Sequence, residues 1–513
     1  MCHALAAVNQ ANFSVPGAGK TVTSLAAGLL HLNAGTVDAF LVVGPLACFE
    51  PWESETTAAV GTAVRPIRVR GAVHRRREVY AEASRGDLLL LSYAMAASDR
   101  LAILAMCERL NVMLIVDESH RIKRFRGGVW APALTQIAEL ARVRMILTGT
   151  PMPNSARDLY SQVNVLWPNG LLTGSRTEFA SRVDRNFAGV RTSIEPFTTR
   201  TAKSELGLPA YRIERHSVPL TGTQADIYRL IRNRLRDRVD DADTWDDKLE
   251  ALRRARPIRL LQAGSNPDLL NHPDDAYRLP KIPPTNPTLM QRLTRFSDTD
   301  IPAKSSAALE IVRGLVEDGE KVVCWSNFIR NLDSFSALLH RELGIPVFQV
   351  DGRVPASDDP VQDRRGGDVS QDDTRERRIE QFLSVDGPAA LVTNPATSSE
   401  SISLHRACHN AVYLDRTYDA ALFFQSIDRI HRLGLPEDAQ VTIHILRATI
   451  GGDDTIDHLV DASLLGKQEA MEELLGGAEI HPLQQDAADP EGNLADLEQL
   501  MHYLVGEGDD DES

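Results

Sequence analysis

Nine short apolar runs, bounded by turn residues and separated by amphipathic stretches, constrain the fold of this 513-residue chain more than any other feature. Four come early: AFLVVGPL (39–46), DLLLLSY (87–93), VMLIVDE (112–118) and RMILTGT (144–150). Each is too continuously apolar for a half-exposed strand, so each needs cover on both faces. Strands that alternate with helical patterns meet that need as a parallel sheet with helices on either side. From about residue 301 the alternation resumes with KVVCWSN (321–327), PVFQVDG (346–352), AALVTN (389–394), NAVYLD (410–415) and QVTIHIL (440–446). The chain is therefore expected to be α/β, with two parallel-sheet domains.

The boundaries follow from what interrupts this rhythm. Residues 1–210 read as the first domain, and residues 211–300 as an Arg-rich helical region that becomes loop-rich through DLLNHPDD and KIPPTNP. Residues 301–465 read as the second domain, with a polar, Gly-containing insertion at 356–376. Residues 466–513 carry one apolar helix pattern and an acidic end, and read as a tail.

Composition limits the function classes. No apolar run reaches the length of a membrane span, and the five cysteines form neither a CxxC pair nor a zinc-ligand spacing, which implies a reducing, cytoplasmic setting without a membrane. The net charge of −15 is uneven: basic clusters at 68–77, 121–126, 229–238 and 252–259 contrast with the acidic residues of 484–513. A basic path beside an acidic tail fits that total, as does a set of solvated faces.

Three motifs carry chemistry in the first domain. SVPGAGKT (14–21) is a glycine-rich turn before a helix, which presents Gly17, Ala18, Gly19, Lys20 and Thr21 to phosphates. Lys20 would meet the β and γ phosphates of ATP and Thr21 would ligate Mg2+, although the full phosphate-loop pattern asks for glycine where Ser14 stands. VMLIVDESH (112–120) delivers two carboxylates at the carboxyl end of a strand, Asp117 for Mg2+ and Glu118 to orient and deprotonate an attacking water. LTGTPMPNS (147–155) follows a further strand and offers Thr148 and Thr150 beside the DESH turn, where with His120 they would couple nucleotide state to domain position. In the second domain, QSIDRIHRLG (425–434), read as a helix, points Gln425, Arg429 and Arg432 into about 60° of arc opposite Phe423, Ile427 and Ile430.

Taken in order, GAGKT, VVGPLACFEPWESE (42–55), DESH and LTGTPMPNSARDLYSQVNVLWPNGLL (147–172) resemble the ATPase motor of helicase superfamily two, specifically its Swi/Snf-related branch. LVTNPATSSESISLHRACHNAVYLDRTYDAALFFQSIDRIHRLG (391–434) is similar to that family's last two motifs, but lacks their glycine-rich turn and has Leu435 where many relatives carry glutamine. The resemblance implies two RecA-like lobes of the P-loop NTPase type joined by a helical region. It also implies arginine fingers at Arg429 and Arg432, with Gln425 nearby, acting on ATP held by the opposite lobe. Contacts to double-stranded DNA are implied near Pro45, Ser92, Tyr93, Ser326, Asn327, Thr397 and Ser398, with backbone amides as eligible as side chains.

The activity so implied is an ATP-dependent translocase on double-stranded DNA, in a genome-defence or repair setting where protein partners supply targeting. A strand-separating DNA or RNA helicase is a second reading. A nucleotide-dependent interaction subunit is a third, because only about thirteen residues precede the phosphate loop, where the family carries an adenine-contacting motif.

Overall fold

The computed structural model describes residues 9–122, 128–152, 156–201, 203–241, 257–272, 300–355, 374–398, 403–436, 439–476 and 494–505, with short islands at 244, 247–248, 291–294 and 296. The chain divides into one unit of residues 1–207 with 467–487 and a second of residues 208–466 with 488–513.

In the first unit seven strands form one parallel sheet: β1 (Asn9–Asn12), β2 (Ala39–Gly44), β3 (Arg65–Arg68), β4 (Asp87–Ser92), β5 (Val112–Asp117), β6 (Val143–Leu147) and β7 (Thr198–Thr199). Their order is β3-β4-β2-β5-β6-β1-β7. Successive residues feed opposite cores, as strands require. Leu41, Val43, Leu114 and Val116 join one core; Phe40, Val42, Met113 and Ile115 join the other. Burial on both faces is why these strands read as continuous apolar runs.

The second unit has the sheet order β10-β11-β9-β12-β13-β14, with β8 paired to β13. Its strands are β8 (Tyr211–Pro219), β9 (Val322–Trp325), β10 (Val347–Val350), β11 (Ala390–Thr393), β12 (Asn410–Tyr413), β13 (Val441–Ile450) and β14 (Asp453–Asp454). All pairings are parallel except the short β13–β14 contact. Val323, Trp325, Ala411 and Tyr413 face one core, and Val322, Cys324 and Val412 the other.

Two departures from the sequence reading have physical causes. Residues 211–219, expected to open a helical region, form β8 instead; as an outer strand it carries Arg212, Glu214, Arg215 and His216, so no apolar run marks it. The end of the chain is not merely a tail. Helix Leu494–Val505 places Leu497, Leu500, Met501 and Leu504 in the second core, the i, i+3, i+4, i+7 spacing of one buried face. Residues 356–373, most of the expected insertion, lie outside the described residues. No helix among the described residues is long and apolar enough to cross a membrane.

A buried ion pair supports the second unit. The Lys304 side chain is 0% exposed and its Nζ lies 2.6 Å from Asp457 Oδ2, which also accepts a hydrogen bond from Ala448 N at 2.7 Å. Removing one partner strands a charge in the interior. Asp457→Ala is therefore expected to lower the unfolding free energy by about 3–5 kcal/mol, measured by urea denaturation followed through circular dichroism.

Candidate active site

The phosphate-loop motif, the DESH turn and the TGT turn converge because of strand register. Leu147 of β6 is the register partner of both Asn12 of β1 and Asp117 of β5, so three neighbouring strands end at one level. The loops that leave them, 13–19, 118–120 and 148–150, emerge side by side at the carboxyl edge of the sheet.

The first of these loops turns through Gly17 (φ 84°) and Gly19 (φ 75°), both in the left-handed region that favours glycine, and passes into helix Lys20–Asn33. Lys20 Nζ donates to the carbonyls of Ser14 and Val15 at 2.9 and 3.2 Å, so the ammonium curls over the loop it serves. Gly149 of the TGT turn lies against it. A Cβ there would stand 2.8 Å from Pro16 Cδ, which explains the glycine. Ser14, the departure from the phosphate-loop pattern, has a positive role. Its φ is not positive, its N donates to Asn12 Oδ1 at 3.1 Å, and its Oγ accepts from Thr201 N at 2.9 Å.

The carboxylates are held from several sides. Asp117 Oδ2 accepts from Trp52 Nε1 at 2.9 Å and Oδ1 from Glu118 N at 2.9 Å. Glu118 has φ 52°, an uncommon conformation for a side-chain-bearing residue and a form of strain that collects at functional sites. The Tyr93 hydroxyl donates to the Asp117 and Glu118 carbonyls, and its ring stacks on Trp130. His120 Nδ1 lies 3.3 Å from Glu118 Oε2, 3.0 Å from Thr148 Oγ1 and 3.5 Å from Thr150 Oγ1. Ser119 Oγ donates to Gln162 Oε1 at 2.8 Å.

Electrostatics separate the two acids. Burial, then the neighbouring Glu118 charge, raises Asp117 above the ordinary carboxylate range. Burial also acts to raise Glu118, but the His120 hydrogen bond and the His120 and Lys20 charges outweigh it and hold Glu118 low. Lys20 thus acts on both acids. A hard divalent cation beside Asp117 would favour its ionised form, and oxygen donors from Asp117 and Thr21 suit Mg2+.

In the second unit the expected cationic helix face is corrected. The helix runs from Ala420 to Ile427 and stops. Arg429 N donates to Ser426 O and Ile430 N to Ile427 O, a tightened i to i−3 turn, while Arg429 O turns aside to accept from Leu404 N at 2.9 Å. Gln425 and Arg429 are buried and Arg432 half-buried, with Arg432 Nη1 donating to Ser403 Oγ at 2.7 Å. Burial and the neighbouring Arg432 charge lower His405 to about 4.

Several side chains expected at DNA face inward. Pro45 and Tyr93 are buried. Ser326 and Asn327 are buried too, and both bind Asp415: Ser326 Oγ and Asn327 N donate to its carboxylate at 2.5 and 2.7 Å. Ser92 caps helix Tyr93–Ser98 by accepting from Met95 N at 3.3 Å, and Thr397 is half-buried in the short helix Pro395–Ser398. The side chain of Ser398, and most of the basic cluster 121–126, lie outside the described residues. Sequence reasoning assigned no role to Trp52 or Gln162, although FEPWESE and LYSQVN lie inside the quoted motifs. Their partners are distant in sequence, so only the fold reveals the pairing.

The model of the SNF2-related domain matches residues 14–261. An uncharacterized ATP-dependent helicase of Mycoplasma pneumoniae is 24% identical over 451 residues, covering 85% of this chain and 38% of that protein. A putative ATP-dependent helicase/translocase, YwqA, of Bacillus subtilis is 21% identical over 476 residues, covering 90% of this chain and 46% of its own. The chain thus spans less than half the length of these relatives. Among solved structures, the Pyrococcus furiosus Hef helicase domain shares the fold at TM-score 0.50 and 14% identity, covering 90% of this chain and 96% of that one.

The role found for Ser14 has a measurable consequence. Ser14→Gly restores the textual phosphate-loop pattern but leaves the Thr201 N–H without its acceptor, a loss of about 1 kcal/mol. The variant is expected to be less stable than the parent by that order in thermal or urea unfolding.

Proposed function

The chain carries a SNF2-related domain over residues 14–261, and from that premise we propose that it hydrolyses ATP and couples hydrolysis to movement along double-stranded DNA. The observation that carries this reading is the level ending of β1, β5 and β6, which gathers Lys20, Asp117 and Glu118 at one sheet edge.

In this mechanism the backbone N–H groups of residues 17–21 and the N-terminus of helix Lys20–Asn33 bind the phosphates. Lys20 exchanges the Ser14 and Val15 carbonyls for phosphate oxygens. Thr21 and Asp117 would hold Mg2+, which would supply positive charge to the phosphates during transfer. Glu118, kept ionised by its surroundings, orients the attacking water and accepts its proton. His120 shares one nitrogen between Glu118 and the threonines of the TGT turn, so loss of the γ phosphate alters the bonding of Thr148 and Thr150.

Arg429 and Arg432, with Gln425 beside them, supply positive charge to the γ phosphate when the lobes close, and hydrolysis removes that attraction. If each lobe holds the duplex through phosphates, repeated closure moves the protein along it. Because Tyr93, Ser326 and Asn327 are engaged internally, the contacts fall to backbone amides, Ser92, Thr397 and the basic helix Val73–Glu82. Protein partners supply targeting in a defence or repair assembly, a setting that rests on analogy of fold. Cys48, Cys107, Cys324 and Cys408 are thiols and not disulfides, which suits the cytoplasm.

The test is ATP hydrolysis with and without duplex DNA. Duplex stimulation without strand separation is expected, and chelation of Mg2+ should abolish it. Glu118→Gln should lower turnover by about 10²–10⁴-fold while nucleotide binding persists. Arg432→Ala should lower it by about 10³-fold or more; undiminished hydrolysis in that variant would show the finger role to be wrong. No hydrolysis under any condition would favour the interaction-subunit reading, and unwinding of the duplex the strand-separating one.

A further inference from the structure

Strand β8 meets β13 in parallel register, with Glu214 directly opposite His444 and His216 two residues further along the same face of β8. Three lone-pair atoms converge there. His216 Nε2 and His444 Nδ1 lie 3.0 Å apart, His444 Nδ1 and Glu214 Oε2 3.3 Å, and His216 Nε2 and Glu214 Oε2 3.8 Å. We propose that Glu214, His216 and His444 form a binding site for a divalent transition-metal ion, zinc by ligand chemistry, that clamps β8 to β13.

Geometry supports this first. Zinc bound to nitrogen or oxygen at about 2.0–2.1 Å in a tetrahedron places its ligands about 3.3–3.4 Å apart, within the range spanned by the three separations. Two imidazoles and one carboxylate form a known zinc donor set, which leaves one position for water. Glu214 and His216 have side chains 28% and 33% exposed, so an ion can enter from solution, whereas the His444 side chain is only 10% exposed.

Charge supports it next. Without a cation, a single N–H lies between the two rings, carried by His216 Nε2 or His444 Nδ1 according to the tautomer. A metal ion satisfies all three atoms without a proton. A metal on Nδ1 would place the His444 ring proton on Nε2, which is buried and has no hydrogen-bond partner among the described residues. Arg212 Nε lies 3.0 Å from the other Glu214 oxygen, Oε1, and orients the carboxylate with Oε2 toward the histidines, the role that outer partners play at metal sites.

The test uses the full chain freed of metal. One equivalent of Co2+ is expected to give the visible absorption of a tetrahedral nitrogen–oxygen site, and Zn2+ to abolish it by displacement. Zn2+, but not Mg2+, should raise the unfolding temperature. Glu214→Gln and His216→Ala lie on a partly exposed outer strand, so both should fold, as checked by circular dichroism, and each should weaken Zn2+ binding roughly 100-fold. Absence of stoichiometric binding by the folded parent overturns the proposal. So does undiminished binding by the folded double variant. The readouts involve neither ATP nor DNA and stand apart from the reading of the ATP site.

Discussion

The first unit depends on a shared register. Because Leu147 pairs with both Asn12 and Asp117, a one-residue slip of either neighbour would move the phosphate loop or the acidic turn by a full residue and reverse every side chain on that strand. The buried alternation of Ile115 against Val116 forbids such a slip of β5, since each residue already belongs to one of two cores. Packing at the loops adds finer constraints. A Cβ on Gly149 would strike Pro16, and one on Gly44 would stand 2.6 Å from Cys48 Sγ and 3.3 Å from Asp117 Cβ. The site's geometry is therefore a consequence of core packing, and the loops contribute little freedom of their own.

The second unit uses a buried polar network where the first uses loop packing. Asp415, at the end of β12, accepts from Ser326, Asn327, Asn331 and Ser265, and Asn331 in turn accepts from Asn266 Nδ2 at 3.3 Å. Ser265 and Asn266 come from the region between the two alternating stretches, Ser326 and Asn327 from the end of β9. A buried carboxylate with this many donors is well satisfied, and losing any one donor exposes the rest to the cost of an unpaired charge. The network ties the helix Ile258–Ser265, part of the region expected to join the two lobes, to the sheet, and that helix packs in the second core.

What the sequence revealed divides by range. Both parallel sheets and the three motifs that converge at one sheet edge were legible because each is a local pattern: a buried strand, a glycine turn, a carboxylate pair. Strand β8 was not, since its residues are polar and only pairing with β13 makes it a strand. Nor were the partners of Asp117 and Asp415, which come from 65 and 88 residues away. Tyr93 shows the same limit from the other side: a tyrosine after a strand looks available for a ligand, yet its hydroxyl supports the turn that carries Glu118. The helix expected through Arg432 failed for a non-local reason, since nothing in QSIDRIHRLG signals that the carbonyl of Arg429 will be claimed by Leu404.

That claim changes how the two arginines would work. On a helix face they would be independent side chains, each free to swing. In the turn they are tied to one short segment: Leu404 N bonds Arg429 O, Ser403 Oγ accepts from Arg432, and His405 lies so close to Gly434 (φ 97°) that a Cβ there would stand 3.0 Å from its Nε2. The segment 403–405 ends the stretch ATSSESISLH (396–405), whose first three residues lie in the helix Pro395–Ser398 that follows β11. Any displacement of residues 403–405 is passed through these contacts to the arginine turn, and the reverse holds with equal strength because coupling between sites is reciprocal. The arginines are thereby linked mechanically to the neighbouring motif, a coupling that a helical face pointing at solvent would not provide.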